Sequence, residues 1–288
     1  MFGLEIDIAG VVNAIVDFIV KHLGGFLRAI SSGIEKGFEA IVDALSWPPA
    51  IVVILALVAV VWLVTRSWKL SLGSFIGLCL IPMMSLWPYA LDTLVLVLFS
   101  TAVSLLFAIP IGIMMGISQK VATIMKPVLD LMQTMPSFVY LIPAVMLFGV
   151  GKVPAMFATM IFAMPPAIRL TYLGIQEVSG EVKEAAISYG ATRKQLLFDV
   201  QLPLAVPTIM AGINQCIMLA LSMAVIASMI GAAGLGNEVL RSISRLDVGY
   251  GFEAGISIVF LAIILDRVTN AIHKRTELQG TKREEAQA

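Results

Sequence analysis

Charge is scarce in this chain. Asp, Glu, Lys and Arg together make up 13% of its 288 residues, against 59% hydrophobic residues, and that is about half the charge of a soluble domain. Mean hydropathy is +0.96. So much apolar surface does not fit inside one water-soluble globule, and lipid must act as part of the solvent. The 19 bases and 19 acids cancel, which removes any electrostatic case for a nucleic-acid partner. Histidine and cysteine are rarer still, two of each. His22 and His273 lack carboxylate or thiol neighbours at ligand spacing, so no metal site is expected. Cys79 and Cys216 lie far apart in apolar runs and read as small buried hydrophobes. The opening "MFGLEIDIAG" has no basic residue. It carries Glu5 and Asp7 where a cleavable signal needs a positive n-region.

What the chain does have is long apolar runs. Runs of about 20 residues suit a bilayer-spanning helix, and seven are expected: residues 47–65, 70–88, 91–118, 127–149, 153–173, a helix and loop within 200–237, and 252–271. The fold class is therefore all-α integral membrane. An odd number of spans puts the termini on opposite sides, and the positive-inside rule selects which. With the tail after Ala271 in the cytoplasm, thirteen bases lie inside, including Arg66, Lys69, Lys120, Lys126, Arg193 and Lys194. Six lie outside: Lys21, Arg28, Lys36, Lys152, Arg241 and Arg245. The C-terminus is thus expected in the cytoplasm and the N-terminal tail on the outer side. Within that tail, Val12, Ile15, Ile19, Leu23, Phe26, Ile30, Ile34, Phe38, Ile41 and Leu45 recur every three or four residues, with charges between them. This is the pattern of an amphipathic helix lying on the membrane or against the bundle, with Gly24 and Gly25 as a place to break it. An eighth span is the rival reading of the same stretch.

One segment departs from the apolar theme. "EAAISYGATRKQLLFDVQLP", residues 184–203, faces the cytoplasm in this topology. Locally it reads as two short helices with a hinge. Ser179 is placed to cap the first, with Glu181 in its first turn. Gly190 is placed for a left-handed C-cap. Thr192 and Gln195 have capping-box spacing, and Pro203 opens the next membrane helix where proline is tolerated. Ala185 and Ala186 give the first helix a smooth face that a partner is able to approach closely.

The order Glu184-Ala185-Ala186, three residues, Gly190, nine residues, Val200, one residue, Leu202-Pro203 resembles the EAA motif of ATP-binding-cassette importer permeases, with Val200 where that family usually has Ile. The stretches "LDLMQTMPSFVYLIPAVMLFGVG", "IFAMPPAIRLTYLGI" and "AGINQCIMLALSMAVIASMIGAAGLGNEV" are similar to the glycine betaine and proline betaine subgroup of these permeases. The resemblance implies a type I importer permease with a five-helix core at 91–271. Two additional spans at 47–90 and an amphipathic tail at 1–46 precede the core, and a cytoplasmic tail at 272–288 follows it. It implies that 179–203 is the coupling helix, and that Glu184, Ala185, Ala186, Gly190, Leu202 and Pro203 dock a separate ATPase. The partners implied are two ATPase copies, a substrate-binding protein and a second permease copy, all in a bacterial cytoplasmic membrane. ATP and Mg belong to the ATPase, and no cofactor is expected on this chain. The cargo implied is a compatible solute: glycine betaine, proline betaine, carnitine or choline.

Two other observations bear on function. The nearest approach to a phosphate-binding loop, "GVGKVP" at Gly149, lacks the first glycine and the hydroxyl residue that the loop requires. This chain is therefore not expected to be an enzyme. Polar residues at membrane depth are candidates for the pathway or for helix–helix hydrogen bonds. They are Gln133 and Ser137 around Pro136, and Asn214 and Gln215 in the sixth span. Trp87, Tyr89, Phe138 and Tyr140 are aromatic candidates for contact with a quaternary ammonium or for an interfacial belt. Gly112 and Gly116 read as a close helix contact. Two alternatives stand beside the main reading. One is an importer permease for another small solute, an amino acid or a sulfonate. The other is an ion-coupled secondary transporter, which would place carboxylates within the membrane and show inverted repeats. The acids here keep to span ends, at Asp92, Asp130 and Asp266.

Overall fold

The computed structural model describes residues 8–285. Glu5 and Asp7 lie outside that range, and the side chains of Val12, Ile15 and everything from His273 onward lie outside what it describes. Among the described residues the regular structure is entirely helical. It begins with α1 (Ile8–Ser46), α2 (Ala50–Thr65), α3 (Trp68–Met83), α4 (Trp87–Ile117), α5 (Gln119–Thr134), α6 (Leu141–Phe148) and α7 (Lys152–Glu177). There follow α8 (Gly180–Ser188), α9 (Arg193–Gln195), α10 (Leu202–Ala227), α11 (Leu235–Arg245) and α12 (Val248–Glu285).

Among the described residues, four helical stretches are long and apolar enough to cross a membrane alone: Trp87–Ile117, Lys152–Glu177, Arg193–Ile230 and Val248–Ile272. Counting each of two bent pairs as one span brings the number to at most six, and Trp68–Met83 is a shorter apolar helix. The fourth expected span is not one straight helix. α5 stops at Thr134, and Pro136, which cannot donate a backbone hydrogen bond, introduces a 3₁₀ turn at Ser137–Tyr140. α6 then leaves at 109° to α5. The tail is one continuous helix through Gly24 and Gly25, so the interruption allowed there does not occur. It meets α2 at 102°. Its last turns face the bundle. Phe38 is fully buried, and Ile34, Val42 and Leu45 pack on the main core, whereas Phe18 and Phe26 stay exposed.

The centre of the molecule is α4, α7 and α10, and small residues let them approach closely. A Cβ on Gly112 would lie 2.5 Å from Thr171 Cβ and 2.8 Å from the Ile168 carbonyl oxygen, and one on Gly116 would lie 2.9 Å from Ile175 Cγ2. The two glycines thus seat α4 against α7. Gly212 approaches Leu170 Cβ in the same way, and Gly174 approaches Thr208, seating α7 against α10. Ala108, Ala155, Ala158, Ala163 and Ala220 fill the interior with almost no exposure. Close backbone approach through glycine and alanine is how helices associate where lipid provides no hydrophobic drive. A hydroxyl adds to it: Ser104 Oγ donates to the Met160 carbonyl at 3.0 Å. A second apolar cluster, including Ile54, Leu78, Ile81, Leu86 and Leu261, attaches α2 and α3 to α12.

Candidate functional site

The polar segment folds as its caps dictate. Ser179 Oγ accepts the Val182 N–H at 3.4 Å and starts α8. At the other end Gly190 has φ +85°. The Gly190 N–H donates to the Ile187 carbonyl at 2.9 Å and the Ala191 N–H to the Ala186 carbonyl at 3.0 Å. These two bonds are the pair that closes a Schellman C-cap. Thr192 then starts α9 with a reciprocal box: its Oγ1 accepts the Gln195 N–H at 3.3 Å, and its own N–H donates to Gln195 Oε1 at 2.9 Å. A π-helical turn, Leu196–Gln201, joins α9 to α10. Such turns carry one residue more than an α-turn and recur at functional sites.

The rigidity of α8 comes from these caps and not from burial, since none of its side chains is buried. Tyr189 is 94% exposed, and Val182, Ile187 and Phe198 are exposed as well. These exposed apolar side chains sit on the most polar projection of the molecule. Behind them the segment is keyed into the bundle. Leu197 is buried with Ile175 of α7 and Ala205 of α10, flanked by Ile113 of α4, Leu202 and Ile209. Polar ties lie beside this key. Lys183 Nζ donates to the Gln176 carbonyl at 3.2 Å, and Gln176 Nε2 donates to the Gly116 carbonyl at 2.9 Å. Through Leu197, Gln176 and Gly116 the polar segment is thus joined to α4, α7 and α10.

The sequence-predicted residues divide by position. Glu184, Ala185 and Gly190 lie together on the exposed projection with half-buried Ala186. Leu202 packs into the Leu197 key, and Pro203 occupies the first turn of α10. The four pathway candidates differ in their surroundings. Asn214 Oδ1 accepts from Thr269 Oγ1 of α12, which is a helix-to-helix tie. Gln215 is exposed on α10, Gln133 is exposed at the end of α5, and Ser137 is half-buried in the 3₁₀ turn. Among the aromatic candidates, Tyr140 is buried, donates to the Met132 carbonyl and meets Phe162 edge-on. It is a core residue. Trp87 and Tyr89 pack on the second cluster, and Phe138 is exposed.

Two features went unread in the sequence. Asp130, noted only as lying near a span end, forms an ion pair with Arg169 that joins α5 to α7. Glu238 is buried in α11, within a Gly-rich stretch. Its Oε1 accepts from Arg241 Nη1 at 2.8 Å and its Oε2 from the Tyr250 hydroxyl at 2.7 Å. The Leu235 N–H also donates to Thr93 Oγ1 at 2.8 Å, and together these bonds fix α11 against α4 and α12. An i, i+3 acid–base pair, Glu238 and Arg241, was the one local signal.

An apolar bundle joined by glycine contacts, with a capped projection keyed into its centre, defines the membrane subunit of a multicomponent machine. Residues 108–278 match the model of the family described as the binding-protein-dependent transport system inner membrane component, and the chain belongs to that family. It is 46% identical over 276 residues to the glycine betaine transport system permease protein OpuAB of Bacillus subtilis (strain 168), covering 96% of this chain and 98% of that protein. It is 48% identical to the glycine betaine/carnitine transport permease protein GbuB of Listeria monocytogenes serotype 1/2a (strain 10403S), over 94% of this chain and 97% of that protein. The fold is also that of the MetNI methionine ABC transporter in an inward-facing conformation, with a TM-score of 0.62 at 18% identity over 68% of this chain and 98% of that chain. The chain is thus a multi-pass membrane permease subunit of an ABC transporter and is not itself catalytic. Its family implies an ATPase and a substrate-binding protein as partners.

Proposed function

We propose that this permease imports compatible solutes of the quaternary-amine type, with glycine betaine first and proline betaine, carnitine or choline as further cargo. The observation that carries the reading is the identity of 46% to 48%, across more than nine-tenths of the chain, to permeases named for glycine betaine transport. In this reading two copies of the chain pair in the membrane, each engaging one ATPase through α8. Glu184, Ala185, Ala186 and Gly190 form the docking face, and Leu202 and Pro203 carry its motion into α10. ATP and Mg act on the ATPase chains. Closure of the ATPases moves α8, and the Leu197 key passes the motion to α4, α7 and α10, so that access alternates between the two sides. The C-terminus and α8 face the cytoplasm and α11 faces the binding protein, in keeping with the thirteen-to-six distribution of basic residues. Gln133, Ser137 and Gln215 line the passage between the two copies, with Asn214 behind them.

Radiolabelled glycine betaine uptake tests this in uptake-deficient cells carrying the chain with its ATPase and binding protein. Uptake that requires an active ATPase and is competed by proline betaine or choline is expected. Absence of uptake from a fully assembled complex would discard the substrate. Screening amino acids and sulfonates would then follow.

A further inference from the structure

Lys69, Leu70, Gly73, Phe260, Ile263 and Arg267 line a half-open groove of about 100 Å³ between α3 and α12. Its shape follows from two glycines one turn apart. At Gly77 the helices touch, and an added Cβ would lie 3.1 Å from Phe260 Cδ1. At Gly73 they have diverged, and an added Cβ would meet nothing within 4 Å. The result is a wedge, closed and apolar at one end and open between two cations at the other. Apolar surface continues outward from it along Leu72, Ile76 and Ile263, all exposed.

The cations at the wide end are not neutralised within the chain. Neither Lys69 nor Arg267 enters an ion pair among the described residues. The nearest acid in sequence, Asp266, is engaged by the Asn270 amide at 2.8 Å. Lys69 lies in the first turn of α3, where the helix dipole adds positive potential. Arg66, just outside α2, adds a third positive charge nearby in sequence. Arg267 lies 19 residues into α12 from Val248, about 28 Å along the helix. That distance is close to the ~30 Å hydrocarbon thickness, so with Val248 at one membrane face, Arg267, and Lys69 across the groove from it, reach the headgroups of the other.

We infer that this wedge binds one anionic phospholipid, with the phosphate between Lys69 and Arg267 and an acyl chain along Leu70, Gly73 and Ile263. A zwitterionic headgroup fits less well because its own ammonium would meet the two cations. Basic pockets between membrane helices at headgroup level are suited to anionic lipid.

The test is native mass spectrometry of the full chain, purified with its ATPase in mild detergent. It follows retention of phosphatidylglycerol against phosphatidylcholine through a delipidating wash, with glycerol phosphate added as an acyl-free competitor. Wild type and the control Lys120→Gln, an exposed cation elsewhere, are expected to retain one phosphatidylglycerol per permease. The double variant Lys69→Gln/Arg267→Gln is expected to lose retention by at least about tenfold, since each cation at a membrane surface contributes about fivefold. Gly73→Leu, whose Cβ would meet nothing within 4 Å, projects a side chain into the wedge and is expected to lose retention with both cations intact. Equal retention of phosphatidylcholine, or wild-type retention by the double variant, overturns the proposal. Displacement by glycerol phosphate together with unchanged retention in Gly73→Leu assigns the site to a free phosphate and overturns the lipid.

Discussion

Replacing Gly190 by valine isolates the C-cap of α8 from everything else in the molecule. Gly190 has φ +85°, and a residue with a Cβ in that left-handed region costs about 1–2 kcal/mol, with a β-branched side chain at the upper end. An added Cβ meets nothing within 4 Å, so the whole cost is backbone conformation and none is overpacking. If the valine relaxes to negative φ, the bonds from the N–H of position 190 to Ile187 and from Ala191 N–H to Ala186 are lost. The capped conformation then falls about 5- to 30-fold in relative population. α8 buries no side chain, so the central bundle keeps its thermal midpoint. ATPase co-purification with the tagged permease is expected to fall, and solute uptake with it. Gly190→Asn, which tolerates left-handed φ, is expected to restore most of both. Wild-type co-purification and uptake in Gly190→Val would refute the idea that this cap holds the docking face in shape.

Three further outcomes are expected. Gly112→Ala places a Cβ 2.5 Å from Thr171 Cβ and 2.8 Å from a backbone oxygen, and overpacking of this kind costs about 1–3 kcal/mol. A lowered unfolding midpoint in detergent checks it, and an unchanged one would show that α4 and α7 separate freely. Glu238→Ala removes the acceptor of both Arg241 and Tyr250. A loss of about 1.5–3 kcal/mol is the usual scale for hydrogen bonds to a charged group, and the Arg241 share is smaller because that side chain is half exposed. Amide exchange should rise in α11 before α7, and uniform protection would contradict the locking role. A cysteine replacing the exposed Lys194, in a chain carrying Cys79→Ser and whose Cys216 is buried, should react with a membrane-impermeant thiol reagent only from the cytoplasmic side. Labelling of intact cells from outside would reverse the proposed topology.

Local chemistry was legible in the sequence where it was self-contained. The caps at Ser179, Gly190 and Thr192 each satisfy backbone groups within three to five residues, so their spacing alone forecasts their geometry. The apolar runs forecast the helices for the same reason, because bilayer thickness sets a length that a chain must meet by itself. Boundaries failed where a local rule had two outcomes. Pro136 is visible within the fourth run, but a 109° turn beside it is not, since the bend depends on what α6 packs against. Gly24 and Gly25 permitted a break that the helix does not use.

Composition and periodicity determined that this is a helical membrane protein, and the spacing of one polar segment determined that it carries a capped, outward projection. Tertiary structure alone decided which groups meet across the chain. Leu197 keys the projection between α7 and α10, Arg169 finds Asp130, and Glu238 is held by Tyr250 twelve residues away. Such pairs depend on how helices cross and how closely glycines let them approach. Crossing geometry is a property of two surfaces at once, and no single stretch of sequence contains both.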